Sequence, residues 1–272
     1  MKRLVTIQDI SCFGRCSTTV ALPIISALGI ETVTLPTAIL STHTGEFENY
    51  SFLPMSEEMH KIIEHWKEQK LEFDAIYVGY IGTVEQIDTV CDFIDYFKKD
   101  DTVVFVDPAM ADNEKLYQGL KTEYVKAIKR LCQKADIIAP NIYEAMFLCE
   151  DECKKEHTYD EAVKMLKPLS MICDKIIITG IHKEDQIVTL GYDKKTDTIT
   201  EKINSKIEGM YYGTGDIFSS VFIGSYIKGS SFCEAISKAV EFVDESIKNT
   251  VSEKEKYWYG INFEECLGKL TE

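Results

Sequence analysis

The chain has 272 residues, 45% of them apolar, which is enough to bury one full core, and the length fits a single domain over residues 1–272. Its 45 acidic and 30 basic residues leave a formal charge of −15, so its mean field repels nucleic acid and anionic membranes, and neither is expected as a partner. A nucleotide is not excluded, because it arrives with magnesium and is held by local amides rather than by net charge.

At the amino end only a short apolar run precedes Gln8 and Asp9, and no segment reaches the roughly 20 apolar residues that span a bilayer. Neither a leader peptide nor a membrane span is expected. Nine scattered cysteines, odd in number and without a C-x-x-C pair, fit reduced thiols and a cytoplasmic location. Cys149 and Cys153 lie four apart, but no second pair accompanies them to complete a metal site.

Short apolar runs at residues 4–8, 32–35, 75–79, 103–107, 137–139 and 175–179 read as buried parallel strands. Segments of helical period fill the intervals at 17–28, 56–70, 84–98, 122–134, 142–150 and 159–169. Ser56 ahead of Glu57 and Glu58, and Thr158 three residues before Glu161, read as helix caps. Residues 37–54 have little periodicity and read either as a flap over a pocket or as an ordinary long connection. Beyond residue 179 the pattern changes, and 186–192 with 198–203 read as an antiparallel pair about a turn at 193–197. A glycine-bearing turn at 213–215 then opens an apolar helix at 217–227, and a second helix covers about 232–248. The class this predicts is α/β: a mostly parallel central sheet flanked by helices on both faces, with an antiparallel addition near residues 186–203.

Three segments carry groups suited to chemistry at the carboxyl ends of such strands. In Gly213-Thr214-Gly215-Asp216 the glycines let successive N–H groups and a helix amino terminus converge on an anion hole. Asp216 beside it can take a proton from a hydroxyl while the amides neutralise a phosphoryl group. The same four residues also suit a plain turn and helix cap. Asn141 and Glu144 share one face of a first helical turn, where they suit water-mediated magnesium binding or a simple capping box. Asp107, at the end of a strand, and Asp112 in the loop after Pro108 are placed for a cation or a phosphate-bound magnesium, or for turn chemistry alone. Near the amino end, Gln8, Asp9 and Gly14 follow the first strand, and His43-Thr44-Gly45 lies in the 37–54 segment, where a lone histidine is commonly just a loop residue.

Taken in order, these segments resemble the pyridoxal kinase family over nearly the whole chain. The resemblance rests on Ile7-Gln8-Asp9 through Gly14, Ser41-Thr42-His43-Thr44, Gly79-Tyr80-Ile81-Gly82, the Asp107–Asp112 loop, the Pro140–Glu144 segment and the Gly213–Asp216 segment. It implies a ribokinase-like fold, a homodimer, and transfer of the ATP γ-phosphate to the 5′-hydroxymethyl group of a vitamin B6 vitamer: pyridoxal, pyridoxamine or pyridoxine. By that similarity Asp216 is the general base and Gly213, Thr214 and Gly215 form the anion hole. Asp9, His43, Thr44 and Tyr80 would surround the ring. Asp107, Asp112, Asn141 and Thr179 would serve ATP, and Glu144 and Asp107 would serve Mg2+, with a monovalent cation such as K+ as a further requirement.

The departures bear on substrate. Asp9 stands where typical members carry serine, and its charge would favour a protonated ring nitrogen or an amine. Ala109 and Ala111 replace the usual valine and glycine of the Asp-Pro loop. Related hydroxymethylpyrimidine kinases have a Gly-Gly-Ala-Gly loop where this chain reads Gly14-Arg15-Cys16-Ser17. The alternatives are a hydroxymethylpyrimidine (phosphate) kinase of thiamine biosynthesis and a catalytically silent vitamer-binding protein on the same fold. A nicotinamide-dependent oxidoreductase is disfavoured because no G-x-G-x-x-G follows the first strand.

Overall fold

A computed structural model describes residues 1–150, 153, 157–253 and 255–271. In chain order the elements are β1 (Arg3–Ser11), α1 (Thr18–Ala27), β2 (Glu31–Leu40), β3 (Phe52–Pro54), α2 (Ser56–Glu68), β4 (Ala75–Val78), α3 (Val84–Phe97) and β5 (Val103–Val106). There follow a small hairpin of β6 (Ala111–Asp112) and β7 (Lys115–Leu116), then α4 (Thr122–Cys132), β8 (Ile137–Ile138), α5 (Ile142–Cys149) and α6 (Tyr159–Leu169). The chain continues through β9 (Lys175–Lys183), β10 (Gln186–Asp193), β11 (Thr198–Ser205), α7 (Thr214–Ile227) and α8 (Phe232–Val251), and closes on a 3-10 helix, Glu264–Leu270.

Nine strands form one sheet in the order β11-β10-β9-β8-β5-β4-β1-β2-β3. The pairs from β2 through β9 are parallel, while β3, β10 and β11 add antiparallel edges. Side chains alternate across the central strands because successive Cβ atoms point to opposite faces. Val5, Ile76, Val78, Val104 and Ile178 pack under α2–α6, whereas Leu4, Tyr77, Phe105 and Ile177 pack under α1, α7 and α8. On the second face Phe105 meets Tyr77 and Phe222, each at 5.3 Å between ring centroids. Burying each of these aromatic rings contributes on the order of 1.5–3 kcal/mol.

Several boundaries differ from the sequence expectation, each for a local reason. The second strand runs to Leu40 instead of stopping near 35, because β3 pairs back onto residues 38–40. The 37–54 segment is therefore the end of a strand, an intervening loop and a short returning strand. Ser56 does not cap α2; Met55 holds the cap position without a side-chain bond and Ser56 is the first helical residue. Thr158 does form its capping box with Glu161. Helix α7 begins at Thr214, so Asp216 sits inside the first turn and not ahead of it. The β6–β7 hairpin was not legible, since its turn places Asn113 and Glu114 at positive φ (48° and 70°) without a glycine.

Candidate functional site

From β1 the chain crosses through α1 on one face, and from β4 it crosses through α3 on the other, so a crevice opens beyond the carboxyl ends of these two neighbouring strands. On one side stand Gln8 and Asp9, and on the other Gly79 and Tyr80. Gln8 Nε2 donates to Thr6 Oγ1 at 2.7 Å, and a Cβ on residue 79 would lie 2.3 Å from Gln8 Oε1, which explains the glycine. Opposite Asp9, β2 carries a bulge: Gln8 pairs with Pro36 and Ile10 with Ile39, so two residues face one. Asp9 is 4% exposed, and its Oδ2 accepts from Ser11 Oγ at 2.9 Å. Burial raises its pKa, opposed by hydrogen bonds from the Ser17 and Ser11 side chains. The Tyr80 hydroxyl, also raised by burial, is pushed up to about 12, with Asp9 adding to the shift.

Gly213 caps α7 at φ 88°, and a Cβ there would meet the Arg15 carbonyl oxygen at 2.1 Å, so both conformation and space require glycine. Thr214, Gly215 and Asp216 are the first three helical residues, whose N–H groups have no acceptor within the helix and carry the positive end of its dipole. A Cβ on Gly215 would meet nothing, so open space lies above this point. Asp216 accepts from the amide of Ser17, a non-glycine residue held at φ 53° and ψ −130°. Burial pushes the Asp216 carboxyl up to about 7; the Ser17 amide opposes this, and Asp107 and Asp9 add repulsion.

Asp107 directly follows β5, and its Oδ2 accepts from Ser219 Oγ at 2.8 Å. Burial holds its carboxyl at about 6. Asn141 and Glu144 make a complete capping box on α5 and also grip the loop after Asp107. Glu144 Oε1 accepts from the amides of Met110 (3.0 Å) and Ala111 (3.4 Å), Oε2 accepts from the Asn141 amide (2.8 Å), and Asn141 Nδ2 donates to the Ala111 carbonyl at 2.8 Å. Glu144 is buried, and that burial, with Asp107 nearby, raises its pKa well above the usual carboxylate range. Thr179 bridges to Asn141 and lies in a bulge with Gly180 at φ 71°. Asp112 is exposed on the hairpin and accepts from Asn113. Among the described residues no three His, Cys, Asp or Glu side chains converge as metal ligands. Glu144, which is buried, and Asp107, which is half-buried, nevertheless suit a cation reached through water, since neither forms an ion pair among the described residues.

His43 is buried, but both ring nitrogens engage backbone. Gly45 N–H donates to Nδ1 at 3.0 Å, and Nε2 lies 2.7 Å from the Tyr259 carbonyl, which makes Nε2 the protonated nitrogen of a neutral ring. Its pKa is lowered, chiefly by burial. The ring fastens the 41–51 loop to a carboxy-terminal stretch, and Phe13, Phe47, Trp258 and Tyr259 pack around the joint with centroid separations of 4.7–6.0 Å. Thr44 is exposed on the same loop. Neither this aromatic wall nor the placing of Ser17 and Ser219 is legible in the local sequence pattern. The run Tyr257-Trp258-Tyr259-Gly260 was the available signal for the wall; the two serines carried none.

A separate groove of about 540 Å3 lies at the amino ends of the strands, lined in part by Lys2, Asp74, Lys175 and Asp193. Its two lysines are already paired, Lys2 with Asp74 at 2.9 Å and Lys175 with Asp193 at 3.2 Å, and it holds none of the carboxyl-end groups.

Comparison with known proteins matches residues 21–259 to the phosphomethylpyrimidine kinase family. The chain is 25% identical to a pyridoxal kinase of Dictyostelium discoideum over 95% of its length and 92% of that protein. It is 26% identical to a hydroxymethylpyrimidine/phosphomethylpyrimidine kinase of Aquifex aeolicus, covering 82% of this chain and 85% of that one. A Bacteroides thetaiotaomicron protein, provisionally named a phosphomethylpyrimidine kinase and crystallised with pyridoxal, superimposes with a TM-score of 0.95 at 35% identity, covering 100% of this chain and 96% of that one.

Proposed function

The chain belongs to the phosphomethylpyrimidine kinase family, as a pyridoxal-kinase-like member of the ribokinase-like superfamily, and from that premise we propose that it phosphorylates the 5′-hydroxymethyl group of a vitamin B6 vitamer with ATP. The observation that carries this reading is the placing of Asp216: a half-buried carboxylate in the first turn of α7, beside amides that have no acceptor within the helix and that glycine leaves uncovered.

In this reading the ring lies in the crevice between β1 and β4, under the wall built by the 41–51 loop and Tyr259. Asp216 accepts the proton of the hydroxymethyl oxygen as that oxygen forms its bond to the γ-phosphorus; the bond from phosphorus to the bridging oxygen breaks, and ADP leaves. The N–H groups of Thr214, Gly215 and Asp216 donate to the phosphoryl oxygens in flight. Asn141, Thr179, Asp107 and Asp112 line the nucleotide side. Magnesium, when bound with the nucleotide, supplies charge neutralisation, and Asp107 and Glu144 are the residues to hold it through water. We assign His43 the task of fixing the loop, since its nitrogens are taken, and leave Tyr80 and Asp9 to face the ring. A homodimer and a monovalent-cation requirement such as K+ belong to the same reading; sedimentation and turnover with K+ replaced by a bulky organic cation test them.

A second reading, hydroxymethylpyrimidine (phosphate) kinase, is favoured by the family match itself and by the Aquifex relative. Replacement of Asp216 by Asn tests both at once: turnover should fall by about 10^2- to 10^4-fold with the fold intact. A variant that keeps most of its rate would remove Asp216 from the chemistry.

A further inference from the structure

Arg15 lies in the loop between β1 and α1, and its side chain, 14% exposed, is gripped by one distant segment of the chain. Its Nε donates to Glu264 Oε1 at 2.8 Å and its Nη1 to the Gly260 carbonyl at 3.4 Å, while Cζ stands 4.5 Å from the Tyr257 ring centroid and 5.6 Å from that of Tyr259. Only a planar guanidinium can donate in two directions along its edge while presenting a face to aromatic rings. The segment that holds it, residues 257–264, is itself anchored. Ile261 and Phe263 are buried in the core layer around α1, α7 and α8, and the Asn262 amide donates to Thr250 Oγ1 on α8 at 2.8 Å.

The main chain of the same residue is wedged between two glycines. A Cβ on Gly260 would lie 2.7 Å from Arg15 Cβ and 3.2 Å from its amide nitrogen, so the 257–264 strap presses directly on the loop. On the other side the Arg15 carbonyl oxygen occupies the place a Cβ on Gly213 would take, at 2.1 Å. The strap closes the triangle itself, because the Ile261 amide donates at 3.3 Å to the carbonyl of Tyr212, the residue just before Gly213. The start of α7 is thus seated against the Arg15 backbone, and the Arg15 side chain ties that seat to a strap fixed in the core. None of these contacts reaches a reacting atom; what they set is the place of the amides at Thr214, Gly215 and Asp216 relative to the β1 crevice.

Resting on the kinase reading above, we propose that Arg15 is a positioning residue for phosphoryl transfer: it clamps the 257–264 strap to the loop on which α7 is seated and so holds the helix start in register with the crevice. Since those amides serve the group in flight and not the bound ring, a loosened clamp lowers kcat and leaves KM for the ring substrate nearly unchanged. A residue that only stabilised the fold would lower the melting temperature without separating the two constants.

The test pairs amide hydrogen exchange with steady-state turnover in Arg15→Ala. Exchange should quicken by about tenfold or more in two separate stretches, 257–264 and 211–218, and stay as it was in α3 on the other face of the sheet. Turnover of a B6 vitamer should show kcat lower by about 10- to 100-fold, the scale of a small misplacement at a reacting centre, with KM for the vitamer within about threefold of wild type. Exchange that quickens in 257–264 alone or in neither stretch, a kcat that falls by less than that tenfold mark, or a loss carried by KM alone overturns the proposal. Should Arg15→Ala not fold, Glu264→Gln on the exposed side of the clamp decides: faster exchange in both stretches sustains it, and in 257–264 alone or in neither overturns it. A wild-type chain that phosphorylates no vitamer strikes the kinase reading and the role in transfer with it, and the exchange result then decides the clamp by itself.

Discussion

Asp216, half-buried, titrates beside the carboxylates of Asp107 and Asp9, and this sets the direction of its pH response. The base form is the ionised one, and burial holds its carboxyl at about 7. kcat/KM should therefore rise with pH through about 7 and fall on the acid side as the proton returns. A profile flat from pH 5.5 to 8.5 would contradict this. His43 presents a different case. Its residue type and place invited a role against the ring, but the neutral tautomer fixed by Gly45 and Tyr259 makes it a positioning residue. His43→Ala should raise KM for the ring substrate by about tenfold, the order set by one buried hydrogen bond, and change kcat much less. Trp258, exposed but packed on Phe47 at 4.8 Å, gives an independent reading: its emission intensity should change in the variant as that contact loosens. From sequence alone neither the neutral tautomer nor the pairing of Asp9 with Ser11 and Ser17 could be read, because each depends on contacts between segments that only the fold brings together.

At the level of elements, the start of α7 separates stability from activity. Gly213→Ala would force a positive φ on a residue with Cβ and drive that atom against the Arg15 carbonyl, so it should cost about 1–3 kcal/mol of stability as well as activity. Gly215→Ala meets nothing and sits inside a helix, where alanine is favoured by up to about 1 kcal/mol. It should unfold at the same temperature or higher yet lose turnover, since its methyl projects over the anion site; an active Gly215→Ala would show that the phosphoryl group does not pass there. The strands at 4–8, 75–79 and 103–107 were legible because their apolar runs are buried on both faces. The β10–β11 pair was legible from its turn. What escaped was built by pairing rather than by local pattern: the extension of β2 under β3, the β6–β7 hairpin, and the 3-10 helix near the end of the chain, whose Glu264 binds Arg15 across 249 residues.

For the molecule as a whole, holding carboxylates partly out of water without cations has a thermodynamic consequence. Asp107 and Asp216 have folded-state pKa values of about 6 and about 7 against ordinary values of 3.8. Between these limits the folded chain holds more protons than the unfolded one, so stability of the ligand-free protein declines as pH rises through that window. The net charge of −15 acts in the same direction. Melting should occur at least about 3 °C lower at pH 8 than at pH 5.5, and magnesium with nucleotide should narrow that gap; a ligand-free chain more stable at pH 8 would contradict it. The α/β architecture and the order of its motifs were visible in the sequence, as was the identity of the carboxylates at the strand ends. Their crowding together partly out of water, which gives the site its electrostatic character, was not. The central claim is that this crevice transfers a phosphoryl group to a ring hydroxymethyl, and the measurement that bears on it most directly is ATP turnover by the purified chain with magnesium, offering pyridoxal, pyridoxamine, pyridoxine and hydroxymethylpyrimidine separately and identifying the product. The account predicts a 5′-phosphorylated B6 vitamer with stoichiometric ADP; phosphorylation of the pyrimidine alone, or of none of the four, would contradict it.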